Sequence, residues 1–168
     1  LDGSNSLIIN GINSQDDLGF SVKDAGDVNG DGIADIVIGA PAVDNIVENV
    51  GEAYVIFGES GISIESFNPS ILDGSNGFRI RGTNANNQLG KSVDGAGDIN
   101  GDGIDDIMIG KPFSSGIGKV IVVFGSNSGF SALYEESDFD GSNGIVISSD
   151  VSGNGFGDAL SRAGDINN

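Results

Sequence analysis

The stretch Asp27-Val28-Asn29-Gly30-Asp31-Gly32-Ile33-Ala34-Asp35-Ile36-Val37-Ile38-Gly39-Ala40-Pro41 joins two contrasting textures. Its first half crowds acidic and amide side chains into a glycine-rich turn, and its second half is an apolar run ending on Gly-Ala-Pro. With Asp27 as position 1, side-chain oxygens fall at positions 1, 3, 5 and 9, which are Asp27, Asn29, Asp31 and Asp35. The carbonyl of Ile33 is a further candidate, and Gly32 permits the sharp turn that wraps such a loop. Calcium takes about 6–8 oxygen ligands, several of them carboxylates, with water completing the shell. Magnesium resists dehydration and suits an all-protein cage less well. Three carboxylates this close repel one another unless a cation sits among them. An EF-hand would need a glutamate at position 12 and flanking helices, but Ile38 stands there and the flanks are short apolar strands. The stretch therefore predicts a calcium-binding β-hairpin loop.

A plain Gly/Asn/Asp turn in an acidic chain is the competing reading, and repetition argues against it. Ala25-Gly26-Asp27 recurs 71 residues later as Ala96-Gly97-Asp98, and a further 67 residues on as Ala163-Gly164-Asp165. The second loop keeps every oxygen-bearing position as Asp98, Asn100, Asp102, the carbonyl of Ile104, and Asp106. A third loop begins at Asp165 and Asn167 and stops at Asn168, short of its remaining ligands. Two complete calcium sites are expected. Leu1-Asp2-Gly3-Ser4-Asn5 returns at residues 72–76 and, as Phe-Asp-Gly-Ser-Asn, at 139–143, which divides residues 1–168 into units 1–71, 72–138 and a partial 139–168.

Each unit predicts four short strands: Ser6 to Gly11, Leu18 to Val22, Ile36 to Pro41 and Gly51 to Gly58 in the first. Their counterparts are Gly77 to Gly82, Leu89 to Val93, Ile107 to Pro112 and Gly118 to Gly125. Gly144 to Ser149 and Phe156-Gly157 onward continue the series. The last two strands of each set are almost continuously apolar, where a strand covered on one face would alternate. Both faces must be covered, as in four-stranded antiparallel sheets stacked radially into a β-propeller; a stacked solenoid would cover them too. Pro41 lies 10 positions before Gly51, whereas Pro112 lies 6 before Gly118, so one loop absorbs the whole length difference.

Composition sets outer limits. The chain carries 25 acidic and 7 basic residues for a net charge of −18, which disfavours nucleic acid and anionic membrane surfaces. It has neither histidine nor cysteine, so zinc sites of the usual kind, disulfides and Ser-His or Cys-His nucleophiles drop out. Calcium is one alternative staple for an extracellular chain without disulfides. No stretch is long and apolar enough to span a bilayer. Beginning inside a repeat, the sequence is expected to be part of a longer chain.

Together, Leu18-Gly19-Phe20-Ser21-Val22, the acidic loop, Ile38-Gly39-Ala40-Pro41 and Tyr54-Val55-Ile56-Phe57-Gly58 resemble the FG-GAP repeat of integrin α subunits and related bacterial surface proteins. The resemblance covers essentially the whole chain. It departs at Leu18 and Leu89, where the motif has an aromatic (Phe156 keeps it), and at Gly110-Lys111-Pro112, where it has Gly-Ala-Pro. It implies an all-β fold: two complete β-propeller blades with flanking strands, part of a seven-bladed ring. Each sequence unit would begin with the outer strand of the preceding blade. The acidic loops would lie on one face. Segments 44–50 and 83–88 would lie on the other, where the family meets protein or glycan partners. The implied role is a non-enzymatic, calcium-stabilised adhesion or interaction module, extracellular or at the cell surface. Two blades cannot close a ring, so the rest of the propeller, or association through open sheet edges, is expected.

The alternative is a glycan-binding or glycan-cleaving propeller. Glu48, Glu135 and Glu136 are its only candidate carboxylates outside the repeated motifs, and solvated loop charges describe them more simply. Tyr54 and Tyr134 are the only tyrosines and there is no tryptophan, so stacking platforms are scarce. Ser152-Gly153-Asn154-Gly155-Phe156-Gly157 has the look of a phosphate loop but lacks its lysine, and is expected to be a turn. Arg79 and Arg81, alternating on a strand, predict one solvated face.

Overall fold

The computed structural model describes residues 7–45, 47–60, 66–112 and 116–163. Among these described residues, nine strands form two sheets. They are β1 (Ser21–Gly26), β2 (Asp35–Ala40), β3 (Glu52–Ile56), β4 (Gly77–Arg81), β5 (Val93–Gly97), β6 (Asp106–Lys111), β7 (Ile117–Val123), β8 (Leu133–Glu135) and β9 (Gly144–Ser152). Sheet one runs β1-β2-β3-β4-β8 and sheet two β5-β6-β7-β9. Every neighbouring pair is antiparallel except β4 and β8. Among the described residues there is no α-helix.

The apolar runs are buried on both sides, as expected. Val37, Ala53, Val55, Phe78 and Ile80 of sheet one pack against Val93, Ile107, Ile109, Ile121 and Val123 of sheet two. The alternate residues Ile38, Ala40, Tyr54 and Ile56 point the other way, under Leu7, Ile9, Ile12 and Leu18. All five residues of β3 are buried. Tyr54 is buried within β3.

The innermost strands begin later than predicted. Leu89 is fully buried, but it contributes only an isolated bridge to Gly51, and the ladder starts at Val93. Likewise β1 starts at Ser21 rather than Leu18. Of the predicted first strand, Ile9 forms a single parallel bridge to Phe67. Phe156-Gly157 onward forms turns rather than a strand.

Sheet one departs from four strands because β8 adds to its outer edge, pairing Arg79, Ile80 and Arg81 with Leu133, Tyr134 and Glu135. The Ile9–Phe67 bridge is the same device one repeat earlier, held by Asn10 N–H to Phe67 O at 2.9 Å and Phe67 N–H to Ile8 O at 2.7 Å. Capping the outer strand in this way satisfies an otherwise bare edge.

Candidate functional site

Both acidic loops leave an inner strand at the same irregularity. The ladder register slips between Asp24 and Gly26 in β1 and between Gly95 and Gly97 in β5, so one extra residue turns the chain out of the sheet. Each loop then folds around its first aspartate. Asp27 accepts the N–H of Asp31 at 3.0 Å and of Gly32 at 2.8 Å, and Asp98 accepts those of Asp102 at 3.0 Å and Gly103 at 2.8 Å. Asn29 Oδ1 accepts Asp31 N–H, and Asn100 Oδ1 accepts Asp102 N–H, both at 2.9 Å. Asp31 and Asp102 accept the N–H of Ile33 and Ile104. Gly32 and Gly103 take φ of +88° and +90°, which favours glycine. The hydrogen bond from Gly103 N–H is the main reason that Asp98 is held below the usual carboxylate range.

The last aspartate of each loop is more deeply set. Asp35 accepts Val28 N–H at 2.9 Å and Gly58 N–H at 2.8 Å, tying its loop to the chain leaving β3. Asp106 repeats this with Ile99 and Gly125, both at 2.8 Å. Burial pushes the Asp35 carboxyl up to about 6 against the pull of those two bonds, and the charges of Asp31 and Asp27 push the same way. Burial raises Asp106 too. Among the described residues, no three acidic side chains converge as a ready-made metal cluster. What the loops offer is a set of oxygen donors, with Asp35 and Asp106 keeping lone pairs beyond those given to the backbone. That donor set fits a hard cation and not a thiophilic one. Asp165 and Asn167 lie outside the described residues.

The opposite end of the sheets is built differently. Segments 47–51 and 83–92 are laced together by Asn86 N–H to Glu48 O at 3.0 Å and Gln88 N–H to Asn49 O at 3.1 Å. Among the described residues, the non-glycine positions with positive φ are Gln15, Asp17, Asn49, Asn86 and Gln88, all on connections at this end.

Of the charges read as solvated, Glu48 is exposed as expected, but Arg79, Arg81, Glu135 and Glu136 are paired instead. Arg81 meets Glu135 at 2.7 Å, and Arg79 approaches Glu52 at 3.9 Å. Glu136 takes both Lys111 and Lys119, with Lys111 fully buried. The departure at Lys111 is thus matched by a carboxylate, while the first repeat has Ala40 and Pro69 at the corresponding positions. Comparing the two repeats pairwise would have exposed this pair.

Residues 24–56 and 90–123 each match the model of the FG-GAP repeat. They are FG-GAP repeats. FG-GAP repeats are β-propeller blades, and the two sheets are two such blades. The chain is similar to integrin alpha-6 of Gallus gallus, 37% identical over 103 residues, covering 61% of the chain and 9% of the relative. It is also similar to integrin alpha-IIb of Mus musculus, 31% identical over 147 residues, covering 83% of the chain and 13% of the relative. Integrin alpha-2 of Mus musculus is 39% identical over 93 residues, or 55% of the chain and 7% of the relative. The FG-GAP chain thus spans about a tenth of the length of these curated relatives. Among its described residues, no helix is long and apolar enough to cross a membrane.

Proposed function

We propose that this chain is a non-enzymatic, calcium-stabilised interaction module of an extracellular or cell-surface protein, forming part of a seven-bladed propeller. One calcium ion belongs to each loop: Asp27, Asn29, Asp31, Asp35 and the Ile33 carbonyl in the first, and Asp98, Asn100, Asp102, Asp106 and the Ile104 carbonyl in the second. The observation that carries this reading is that two loops 71 residues apart reproduce one hydrogen-bonded arrangement of oxygen donors almost bond for bond. Bound calcium supplies positive charge that relieves the repulsion among the aspartates and holds each hairpin to its strands. A protein or glycan partner is assigned to the opposite end, where non-glycine residues held at positive φ gather. Strained backbone of this kind collects at binding sites. The remaining blades, or further copies meeting through open sheet edges, complete the assembly.

Metal analysis after dialysis should find two calcium ions per chain, and EGTA should lower the melting temperature. A ligand at a hundred times its dissociation constant stabilises by about 2.7 kcal/mol per site. Asp31→Ala should weaken the first site and leave the second. Protein purified without calcium, and melting at the same temperature with and without EGTA, would sink the reading.

A further inference from the structure

Asp105 belongs to the second loop by sequence, yet its side chain serves the first. Its Oδ2 accepts the N–H of Asp27 at 2.9 Å, and its own N–H returns to Asp27 O at 3.3 Å. The neighbouring residue continues the contact, since Ser126 N–H donates to Val28 O at 2.9 Å. Gly26 leaves room for the carboxylate, because a Cβ there would collide with it. Asp27 opens the first loop, so the residue that starts one loop is held from the adjacent blade. The corresponding position in the first loop is Ala34, which cannot do the same for any neighbour.

We infer that Asp105 is a positioning residue for the cation site of the first loop. This inference rests on the calcium reading above. By fixing Asp27's backbone through a charge-assisted hydrogen bond, it holds the first ligand in place and ties occupancy of the first loop to docking of the second blade. The coupling runs both ways, so calcium in the first loop strengthens the contact between blades.

The test follows the amide resonances of Gly30 and Gly32, and of Gly101 and Gly103, during calcium titrations of the full chain. In Asp105→Ala the midpoint reported by Gly30 and Gly32 should rise roughly tenfold, the lower range for loss of an outer partner of a metal ligand. The Gly101 and Gly103 midpoint should stay within about twofold, because alanine already occupies the matching position of the first loop. Asp105→Asn retains an acceptor and should restore most of the affinity. Should the alanine variant not fold, Asp105→Ser, too short to reach Asp27, takes its place. A shift confined to the second loop, equal shifts in both loops, or no shift in either overturns the inference. If none of the four glycines responds to calcium in the unmodified chain, the calcium reading itself fails, and the inference with it.

Discussion

The two blades agree at one end and diverge at the other. At the acidic loops, Asp35 and Asp106 make the same pair of backbone bonds. At the far end, β3 opens on Glu52 and β7 carries Lys119 at the matching position, while Ala40 faces Lys111 and Pro69 faces Glu136 in the repeat alignment. One end keeps a single hydrogen-bonded arrangement in both blades. The other takes different charge arrangements: Glu52 meets Arg79 and Tyr54 within sheet one, whereas Glu136, next to β8, takes two lysines from β6 and β7 of sheet two.

The sharpest way to break the comparison is at Lys111. Lys111→Ala leaves Glu136 with only Lys119 and empties a fully buried position, so it should cost about 3–5 kcal/mol in urea unfolding. Replacing Lys111 by Met together with Glu136 by Leu should be close to neutral, since exchanging a buried ion pair for packed apolar groups often is. A double variant as unstable as the single one would mean that the charges themselves hold the blade.

Asp35→Ala and Asp106→Ala each strand two backbone N–H groups and should each cost about 2–3 kcal/mol measured in EGTA. Equal losses would support the equivalence of the two loop ends, and losses differing by more than about 1 kcal/mol would break it.

The smallest effect is a difference in sign with pH. Burial holds the Glu52 carboxyl above its ordinary 4.5, in spite of Tyr54 and the arginines. The folded state then binds its proton more readily than the unfolded chain, so its contribution is complete below pH 4.5 and lost as pH rises through the raised value. For Glu136, burial also pushes upward, but the hydrogen bonds and charges of Lys111 and Lys119 prevail and bring it below 4.5. Its contribution is present above 4.5 and lost as pH falls through the lowered value. Relative to the unmodified chain, the melting temperature of Glu52→Gln should therefore improve from about pH 4 to pH 7, and that of Glu136→Gln should worsen. Parallel slopes would contradict the assignment.

Much of this architecture was legible because the apolar runs of β2, β3, β6 and β7 leave few alternatives for strands buried on both faces. The oxygen spacing from Asp27 to Asp35 was equally plain. The inner strands were misplaced because apolar patterning reports burial, not hydrogen bonding. Leu89 is buried beside the ladder, whereas the true strand, Val-Asp-Gly-Ala-Gly, has almost no apolar signal. β8 was invisible since three residues carry no period. Asp105 gave no sign of its role because its partner lies 78 residues away in another loop.

The parallel strand β8 also has a consequence in time. It returns to the edge of the first blade across 54 residues, counted from Arg81 to Glu135. A ribosome adding about 5–20 residues per second needs roughly 3–11 s to span that distance. During that interval the outer edge of β4 emerges with its hydrogen-bonding groups unpaired. The first blade is therefore sealed only after every strand of the second but the outermost has been made, and a nascent chain halted between β7 and β8 would carry an open edge able to recruit any extended segment nearby.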